Sequence, residues 1–269
     1  MVRLTRTVRF AINPSVEGSG SAQPRDPNGY AGAPSLRGLG AHYELEVRCR
    51  GPIDPVTSYL LDIKEVDKAV RDRAIPLIHA AVRSQTTTAQ ELLPEILTAL
   101  EAALPGKLES VRWKLTPYHS IQMTASPNGP SVALLRQKFD FAAAHRLHLP
   151  SLSDQQNRAL FGKCNNPTGH GHNYQFEPSV EVAVGAGASR FSLQDLESIC
   201  QATLIDRFDH KHLNTDTAEF DLSKGGVNPT VENIAKVFFD LLAPALSPKA
   251  TLRSITVWET DRTSATFPA

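Results

Sequence analysis

The feature that most constrains the fold is a sequence pattern that occurs twice in this chain of 269 residues. The segment GLGAHYELEV, residues 38–47, aligns with GHGHNYQFEP, residues 169–178, at an offset of 131 residues. Two glycines and a tyrosine recur in both segments, and the same offset places Phe10 on Phe141. Such self-similarity predicts an internal duplication, in which each half is one structural unit.

Hydrophobic periodicity predicts the same order of elements in both halves. In the first half the strands are expected at residues 4–13, 41–50, 108–116 and 118–123, with helices from Ile63 over about 16–18 residues and from Thr88 to about Leu104. In the second half the strands are expected at residues 134–144, 172–184, 251–259 and 263–267, with helices at 192–206 and 230–243. We therefore predict an α+β fold of two tandem modules, residues 1–124 and 132–269. Each module reads ββααββ, with an antiparallel sheet and two helices on one face.

The helices and connections carry their own signals. An apolar stripe on the first helix is formed by Ile63, Val66, Val70, Ala74 and Leu77. The Gly-, Pro- and Ser-rich stretch at residues 15–35 predicts a mobile loop, and residues 124–131 predict a linker between the modules. Residues 146–168 are expected to form a long loop.

Composition excludes some classes of partner. The chain has 28 basic and 28 acidic residues, so no overall field favours nucleic acid or an anionic membrane. No stretch approaches the about 18 apolar residues of a membrane span. Three scattered cysteines do not form a disulfide framework. We expect a reduced, cytoplasmic protein without a nucleic-acid or membrane partner.

A group of histidines points to a metal. The stretch Phe139–Tyr174 contains His145, His170 and His172. His170 and His172 are two residues apart, so on a strand both side chains lie on one face. Three convergent imidazoles with an open fourth position are typical of catalytic zinc, whereas a structural site takes four protein ligands. The alternative is a set of hydrogen-bonded core histidines.

The two halves differ in their polar residues. Leu39 and Ala41 replace His170 and His172, and Pro14 stands at the position of His145. Three further positions change in the same way, since Ile78 replaces Asp209, Gln90 replaces Glu232 and Leu115 replaces Glu259. The first half is therefore predicted to be a structural copy without a metal site, which gives one metal per chain.

Several motifs of the second half, in the same order, resemble the 6-pyruvoyl-tetrahydropterin synthase family of the tunnelling fold. They are FDFAAAHRL (139–147), SLSDQQNRALFGKCNNPTGHGHNY (151–174), DHKHLN (209–214), PTVEN (229–233) and VWETD (257–261). The first half is similar to the same fold more weakly, through GPIDPVTSYLLDIKEVD (51–67). The resemblance implies Mg²⁺-assisted loss of triphosphate from 7,8-dihydroneopterin triphosphate, with internal redox rearrangement to 6-pyruvoyl-tetrahydropterin.

The resemblance also implies roles for individual residues. Zn²⁺ would be held by His145, His170 and His172. The other implied roles are acid/base chemistry for Cys164, a proton relay for Asp209 and His210, anchoring of the pterin ring for Glu259, and further pterin contacts for Thr230 and Glu232. Sites of this family form at subunit boundaries, so we expect a homo-oligomer, with a trimer of tandem chains favoured because it supplies six modules.

Each role has a simpler structural alternative. Cys164 would be a buried, inert thiol, as we expect for Cys49 and Cys200. Asp209 and His210 would serve as a capping carboxylate and a cation near a helix end. Glu259 would form a salt bridge with Arg262, and Glu232 would cap a helix. Lys163 and Arg146 are candidates for binding the triphosphate, with solvated loop charges as the alternative. For His148 we expect a supporting role in the loop.

Two rival functions remain open. The related 6-carboxy-tetrahydropterin synthase of the deazapurine route takes the same substrate. The spacing from Cys164 to His170, C-x5-HGH, resembles the pyruvoyl enzyme, whereas the carboxy enzyme commonly has C-x3-HGH. The other rival is a pterin-binding or scaffold protein without turnover.

Overall fold

The computed structural model of the chain describes residues 1–13, 40–85, 87–126, 132–184 and 191–269. The predicted loop at 15–35 and most of the predicted linker lie outside these residues, as do Pro14 and Leu39. The chain folds into two compact units, one built mainly from Met1–Leu134 and the other from Leu135–Val182 with Ser189–Ala269. Among the described residues, no helix has the length and apolar character that crossing a membrane requires.

The described residues of the first unit form four antiparallel strands in sequence order. They are β1 (Val2–Ile12), β2 (Ala41–Gly51), β3 (Leu108–Lys114) and β4 (His119–Thr124). Alternation along β2 buries one face, and Phe10 of β1 pairs with Tyr43 of β2 in the register of these strands. The predicted strands of this half are therefore found close to their expected bounds.

The helices of the first unit depart from the prediction at one point. The first helical run consists of α1 (Ile63–Ala69), a π-helical turn (Val70–Ala74) and α2 (Ile75–Ser84), and α3 (Ala89–Ala103) follows. The run is longer than predicted, Ile63 is 46% exposed, and Ile78 rather than Leu77 is buried. A π turn takes up an extra residue, which moves the apolar stripe along by one position.

The sheet of the second unit is centred on β7 (His170–Ala183), which pairs antiparallel with β6 (Phe139–His145) and with β9 (Thr251–Thr260). The remaining strands are β5 (Val132–Gln137), β8 (Lys211–His212) and β10 (Thr263–Phe267). β8 runs parallel to β6, with Ala143 opposite Lys211. The expectation of a wholly antiparallel sheet is therefore wrong at this short strand, which follows a helix instead of a hairpin turn.

The second unit has two long helical segments and several short ones. In chain order they are α4 (Asp154–Phe161), a 3-10 turn (Gly162–Asn165), α5 (Leu193–Cys200), a π-helical turn (Gln201–Ile205), α6 (Asp206–Phe208), α7 (Leu213–Asp216), a 3-10 turn (Leu222–Lys224) and α8 (Val231–Leu246). The expectation of an irregular loop at 146–168 is thus wrong, because α4 lies within it. A capping box between Ser153 and Gln156 starts this helix.

An aromatic core positions the start of β7. Phe141 stacks on Tyr174 with ring centroids 4.9 Å apart, and Phe176 packs against Phe238 of α8 at 5.5 Å. Residues alternate along a strand, so the face that carries Tyr174 also carries His172 and His170. The histidines therefore stand at the end of the buried face of the sheet.

Candidate metal centre and active site

The pairing of two strands brings the three histidines together. In the register of β6 and β7, His145 lies opposite His170, and Ala143 lies opposite His172. The turn that leads into His170 depends on Gly169, whose φ is +71°. A Cβ atom there would lie 2.5 Å from Nε2 of His212 and 2.9 Å from the carbonyl oxygen of His145. Only glycine fits this position without displacing a ligand strand.

The three imidazoles are in contact. Their ring centroids are 4.6 Å apart for His145 and His170, 5.1 Å for His145 and His172, and 4.7 Å for His170 and His172. Nε2 of His145 lies 3.2 Å from Nε2 of His170. Among the described residues, the possible ligand atoms form two groups that share His145. One group adds Cys164 and His170 and the other adds His172 and Glu259, and within each group the atoms lie within 4.8 Å of one another.

His145 is fixed in a single orientation. Its side chain is fully buried, and Nδ1 lies 2.8 Å from the carbonyl oxygen of Pro229 and 3.2 Å from the hydroxyl of Tyr174. Because a carbonyl can only accept, Nδ1 carries the proton and the lone pair of Nε2 faces the other imidazoles. Burial, and then the neighbouring histidines, lower the pKa of His145 to about 4. The ring is therefore neutral at pH 7, as a metal ligand must be.

Two ring nitrogens of this group of histidines have no hydrogen-bond partner among the described residues. Within the described part of the chain, Nε2 of His172 and Nδ1 of His170 are buried and have no hydrogen-bond partner. Burial also lowers the pKa of His170. Buried imidazole nitrogens without a donor or an acceptor are unfavourable unless a ligand satisfies them. Nitrogen atoms of this kind suit Zn²⁺, so the residue set fits that metal.

Cys164 lies beside this group on the 3-10 turn. Its carbonyl oxygen accepts a hydrogen bond from the backbone N–H of Leu147 at 2.8 Å. Burial, and then the charge of Glu259, raise the pKa of the thiol. The turn is also held by Asn165, whose Nδ2 donates to the carbonyl oxygen of Leu147 at 2.7 Å. Cys164 is therefore a protonated thiol beside two imidazoles, whereas Cys49 and Cys200 are buried elsewhere.

Glu259 faces the imidazoles. Its Oε1 lies 3.4 Å from Nε2 of His145 and 3.5 Å from Nε2 of His172. The alternative of a salt bridge with Arg262 is not observed, because the partner of Arg262 is Asp261, at 3.8 Å.

Asp209 and His210 form a hydrogen-bonded pair. Oδ2 of Asp209 lies 2.8 Å from Nδ1 of His210, and Oδ1 accepts from the backbone N–H of Ala142 at 2.7 Å. Burial opposes ionisation of Asp209, but these hydrogen bonds lower its pKa. The side chain of His210 is 83% exposed, and no contact within the described residues joins it to Cys164. The structure thus forms the predicted pair of Asp209 and His210.

Thr230 and Glu232 stand at the start of α8. The hydroxyl of Thr230 accepts from the backbone N–H of Asn233 at 3.3 Å and caps the helix. Glu232 is exposed in the first turn and makes no capping hydrogen bond in the described structure. The capping role considered for Glu232 therefore belongs to Thr230.

Sequence reasoning missed the residues that support the site. The backbone N–H of His148 donates to Oδ1 of Asn228 at 3.3 Å, and Nδ2 of Asn233 donates to the Asn228 carbonyl at 2.8 Å. Asn214 makes two hydrogen bonds with the backbone of Arg146, at 2.8 and 2.9 Å. The sequence held one indication of these supports, because Asn214 is the last residue of the motif DHKHLN and Asn233 is the last residue of PTVEN.

Comparison with known proteins identifies relatives of the second half. A family model described as 6-pyruvoyl tetrahydropterin synthase matches residues 134–269. The 6-pyruvoyl tetrahydrobiopterin synthase of Homo sapiens is 37% identical over 130 residues, which cover 48% of this chain and 86% of the human protein. The Drosophila melanogaster enzyme of that name is 34% identical over 132 residues, which cover 49% of this chain and 76% of the Drosophila protein.

A solved structure is also among the similar proteins. The 6-pyruvoyl tetrahydropterin synthase of Caenorhabditis elegans is 32% identical to this chain. The match covers 51% of this chain and 94% of the Caenorhabditis elegans chain, with a TM-score of 0.46. The family model covers half of the chain, and the human relative is matched over most of its length. The resemblance predicted from the motifs is therefore confirmed, and the chain belongs to the 6-pyruvoyl tetrahydropterin synthase family.

Proposed function

We propose that the second unit is a zinc-dependent lyase that converts 7,8-dihydroneopterin triphosphate to 6-pyruvoyl-tetrahydropterin and triphosphate. As a member of this family the chain is an enzyme, a carbon–oxygen lyase acting on phosphates. One observation carries the finer proposal. Three imidazoles, the Cys164 thiol and the Glu259 carboxylate converge at one end of the sheet, within the matched segment.

The metal would be held by His145, His170 and His172, with one Zn²⁺ per chain. When bound to a substrate hydroxyl, zinc acts as a Lewis acid and stabilises the charge that forms when the neighbouring carbon loses its proton. His145 supports this role as a neutral ligand with a fixed tautomer. Mg²⁺ is expected with the triphosphate, since phosphate oxygens are the ligands that it prefers.

Cys164 is proposed as the acid/base group. With the raised pKa that burial and Glu259 produce, the thiol holds a proton that it can donate. To act as a base it needs a thiolate, which a nearby positive charge favours. A metal held by His145, His170 and His172 would supply that charge, so Cys164 is expected to be the thiol that forms a thiolate in the metal-loaded protein.

The pterin ring is proposed to contact Glu259, Thr230 and Glu232. A carboxylate can accept two parallel N–H donors from a 2-amino-4-oxo ring edge. The exposed ring of His210, paired with Asp209, is proposed to complete the relay in an assembled oligomer, because family sites form at subunit boundaries. We propose a trimer of tandem chains, located in the cytoplasm, without a nucleic-acid or membrane partner.

The first unit is proposed to be a degenerate copy of the same module. Both units contain two long helical segments, and the first of these is interrupted by a π-helical turn, Val70–Ala74 in one unit and Gln201–Ile205 in the other. These turns are 131 residues apart, as are the aligned sequence segments. On β2, Ala41 stands where His172 stands on β7, so the first module lacks this ligand.

The test is to incubate the full chain with dihydroneopterin triphosphate, with and without a chelator, and to identify the products by mass. We expect triphosphate and 6-pyruvoyl-tetrahydropterin, and no product with the chelator. A carboxylated product with loss of acetaldehyde would replace this proposal by the 6-carboxy activity. Absence of triphosphate release would leave a pterin-binding protein without turnover.

A further inference from the structure

Glu259, which the motif comparison assigns to the pterin ring, has one oxygen turned toward the metal ligands. Oε1 lies 3.4 Å from Nε2 of His145 and 3.5 Å from Nε2 of His172. Nε2 of His172 has no hydrogen-bond partner among the described residues. The carboxylate and the two imidazoles together form a group that could hold a metal ion.

These contacts are unfavourable without a cation between them. Nδ1 of His145 donates its proton to the carbonyl oxygen of Pro229, so a neutral His145 presents a lone pair at Nε2. That lone pair faces a carboxylate oxygen, and neither atom carries a hydrogen to share. A positive ion between Nε2 and Oε1 turns this repulsion into coordination.

The separations agree with tetrahedral coordination. Two ligand atoms that each lie about 2.0–2.1 Å from Zn²⁺ at a tetrahedral angle are about 3.3–3.4 Å apart. Glu259 Oε1 lies 3.4 and 3.5 Å from the two nitrogen atoms, and the Nε2 atoms of His145 and His170 are 3.2 Å apart. The carboxylate oxygen is therefore as close to the two imidazole nitrogens as a ligand of the same metal ion would be.

We propose that Glu259 is the fourth metal ligand of the substrate-free site and leaves the metal when the pterin binds. This inference rests on the metal site of the proposed function and adds a step to it. A bidentate contact with the pterin ring uses both carboxylate oxygens, so Oε1 cannot bind the ring and the metal together. Recognition of the ring thus opens the coordination position that the substrate hydroxyl takes.

The experiment compares Glu259→Gln and Glu259→Asp with the parent chain, all loaded with Co²⁺ or Zn²⁺ and free of substrate. Gln keeps the size but loses the charge, and Asp keeps the charge but is one methylene shorter. Glu232→Gln is the matched control, because Glu232 is also proposed to bind pterin but is exposed on α8. The measurements are the visible absorption of Co²⁺ and the Zn²⁺ affinity by chelator competition.

We expect both Glu259 variants to bind Zn²⁺ at least about 10-fold more weakly and to show an altered Co²⁺ spectrum, with Glu232→Gln unchanged. Adding a pterin without a phosphate side chain should shift the parent spectrum in the same direction. Parent-like affinity and spectrum in both Glu259 variants would overturn the inference. Neither measurement needs turnover. If the parent chain is inactive but its Co²⁺ spectrum still depends on Glu259, the proposed function is overturned and the inference about Glu259 stands.

Discussion

The carbonyl oxygen of Pro229 accepts the Nδ1–H of His145 at 2.8 Å. This contact joins the loop before α8 to the end of β6, and it sets which nitrogen of His145 faces the metal site. The loop is held in turn by Asn233, whose Nδ2 donates to the carbonyl of Asn228 at 2.8 Å. The start of a helix therefore determines the orientation of a ligand on a strand.

Replacing Asn233 with Asp should weaken metal binding without removing a ligand. The new carboxylate oxygen faces the Asn228 carbonyl, and this repulsion displaces the neighbouring Pro229 carbonyl. We expect Zn²⁺ affinity, measured by chelator competition, to fall by about 10–100-fold. Asn173→Asp is the control, since Asn173 is exposed on β7. Equal affinity in Asn233→Asp and the parent would show that Asn233 does not hold this carbonyl.

Gly169→Ala should disrupt the site more than backbone strain alone explains. Its Cβ would lie 2.5 Å from Nε2 of His212 and 2.9 Å from the His145 carbonyl. Gly225 also has positive φ, at +82°, but a Cβ there meets nothing within 4 Å. In urea unfolding we expect Gly225→Ala to lose about 1–2 kcal/mol from strain, and Gly169→Ala to lose more and to bind Zn²⁺ weakly. Equal losses in the two variants would mean that the contacts at Gly169 have no effect.

Cys164→Ala separates the acid/base role from metal binding. We expect turnover to be abolished while bound Zn²⁺ stays near one per chain, measured by metal analysis after gel filtration. The control is Cys200→Ala, which removes a thiol buried in α5 and should retain activity per folded chain. If Cys164→Ala instead loses its bound Zn²⁺, Cys164 is a metal ligand, in the group that it forms with His145 and His170.

The metal-free protein should lose stability in mild acid. Burial lowers the pKa of His145 to about 4, against about 6.5 in an unfolded chain. The unfolded state therefore binds the proton more tightly, and stability is fully present above about pH 6.5 and lost as the pH falls toward 4. We expect the free energy of unfolding to fall by on the order of 1–3 kcal/mol between pH 7 and pH 4.5.

Urea unfolding at several pH values measures this loss. His145→Gln should reduce the acid-dependent part of the loss. The same acid-dependent loss in His145→Gln as in the parent would contradict the assignment to His145.

The fold was predictable where burial follows a simple period. The stripe on α8 gave Ile234, Phe238 and Leu242, all of which are buried. The π turn at Val70–Ala74 was not predictable, because a helical period of 3.6 has no place for the extra residue. Helix α4 was missed because almost all of its residues are exposed, so only the capping box of Ser153 and Gln156 marked it.

The candidate site was predictable in its side chains but not in its supports. The contrast between the two halves singled out His145, His170 and His172, and the strand register brings them into contact. The carbonyl of Pro229 leaves no trace in the sequence, because every residue carries that acceptor. The contact of Glu259 with the imidazoles depends on how β9 aligns with β7, which no local pattern contains.

One metal centre per chain, in the second unit alone, is proposed to catalyse loss of triphosphate from the pterin substrate. The most direct measurement is triphosphate release by the full chain after complete removal of metal and stepwise return of Zn²⁺. We predict no release without metal, and activity that rises linearly and saturates at one Zn²⁺ per chain. Activity in the metal-free protein, or saturation at two Zn²⁺ per chain, would contradict this account.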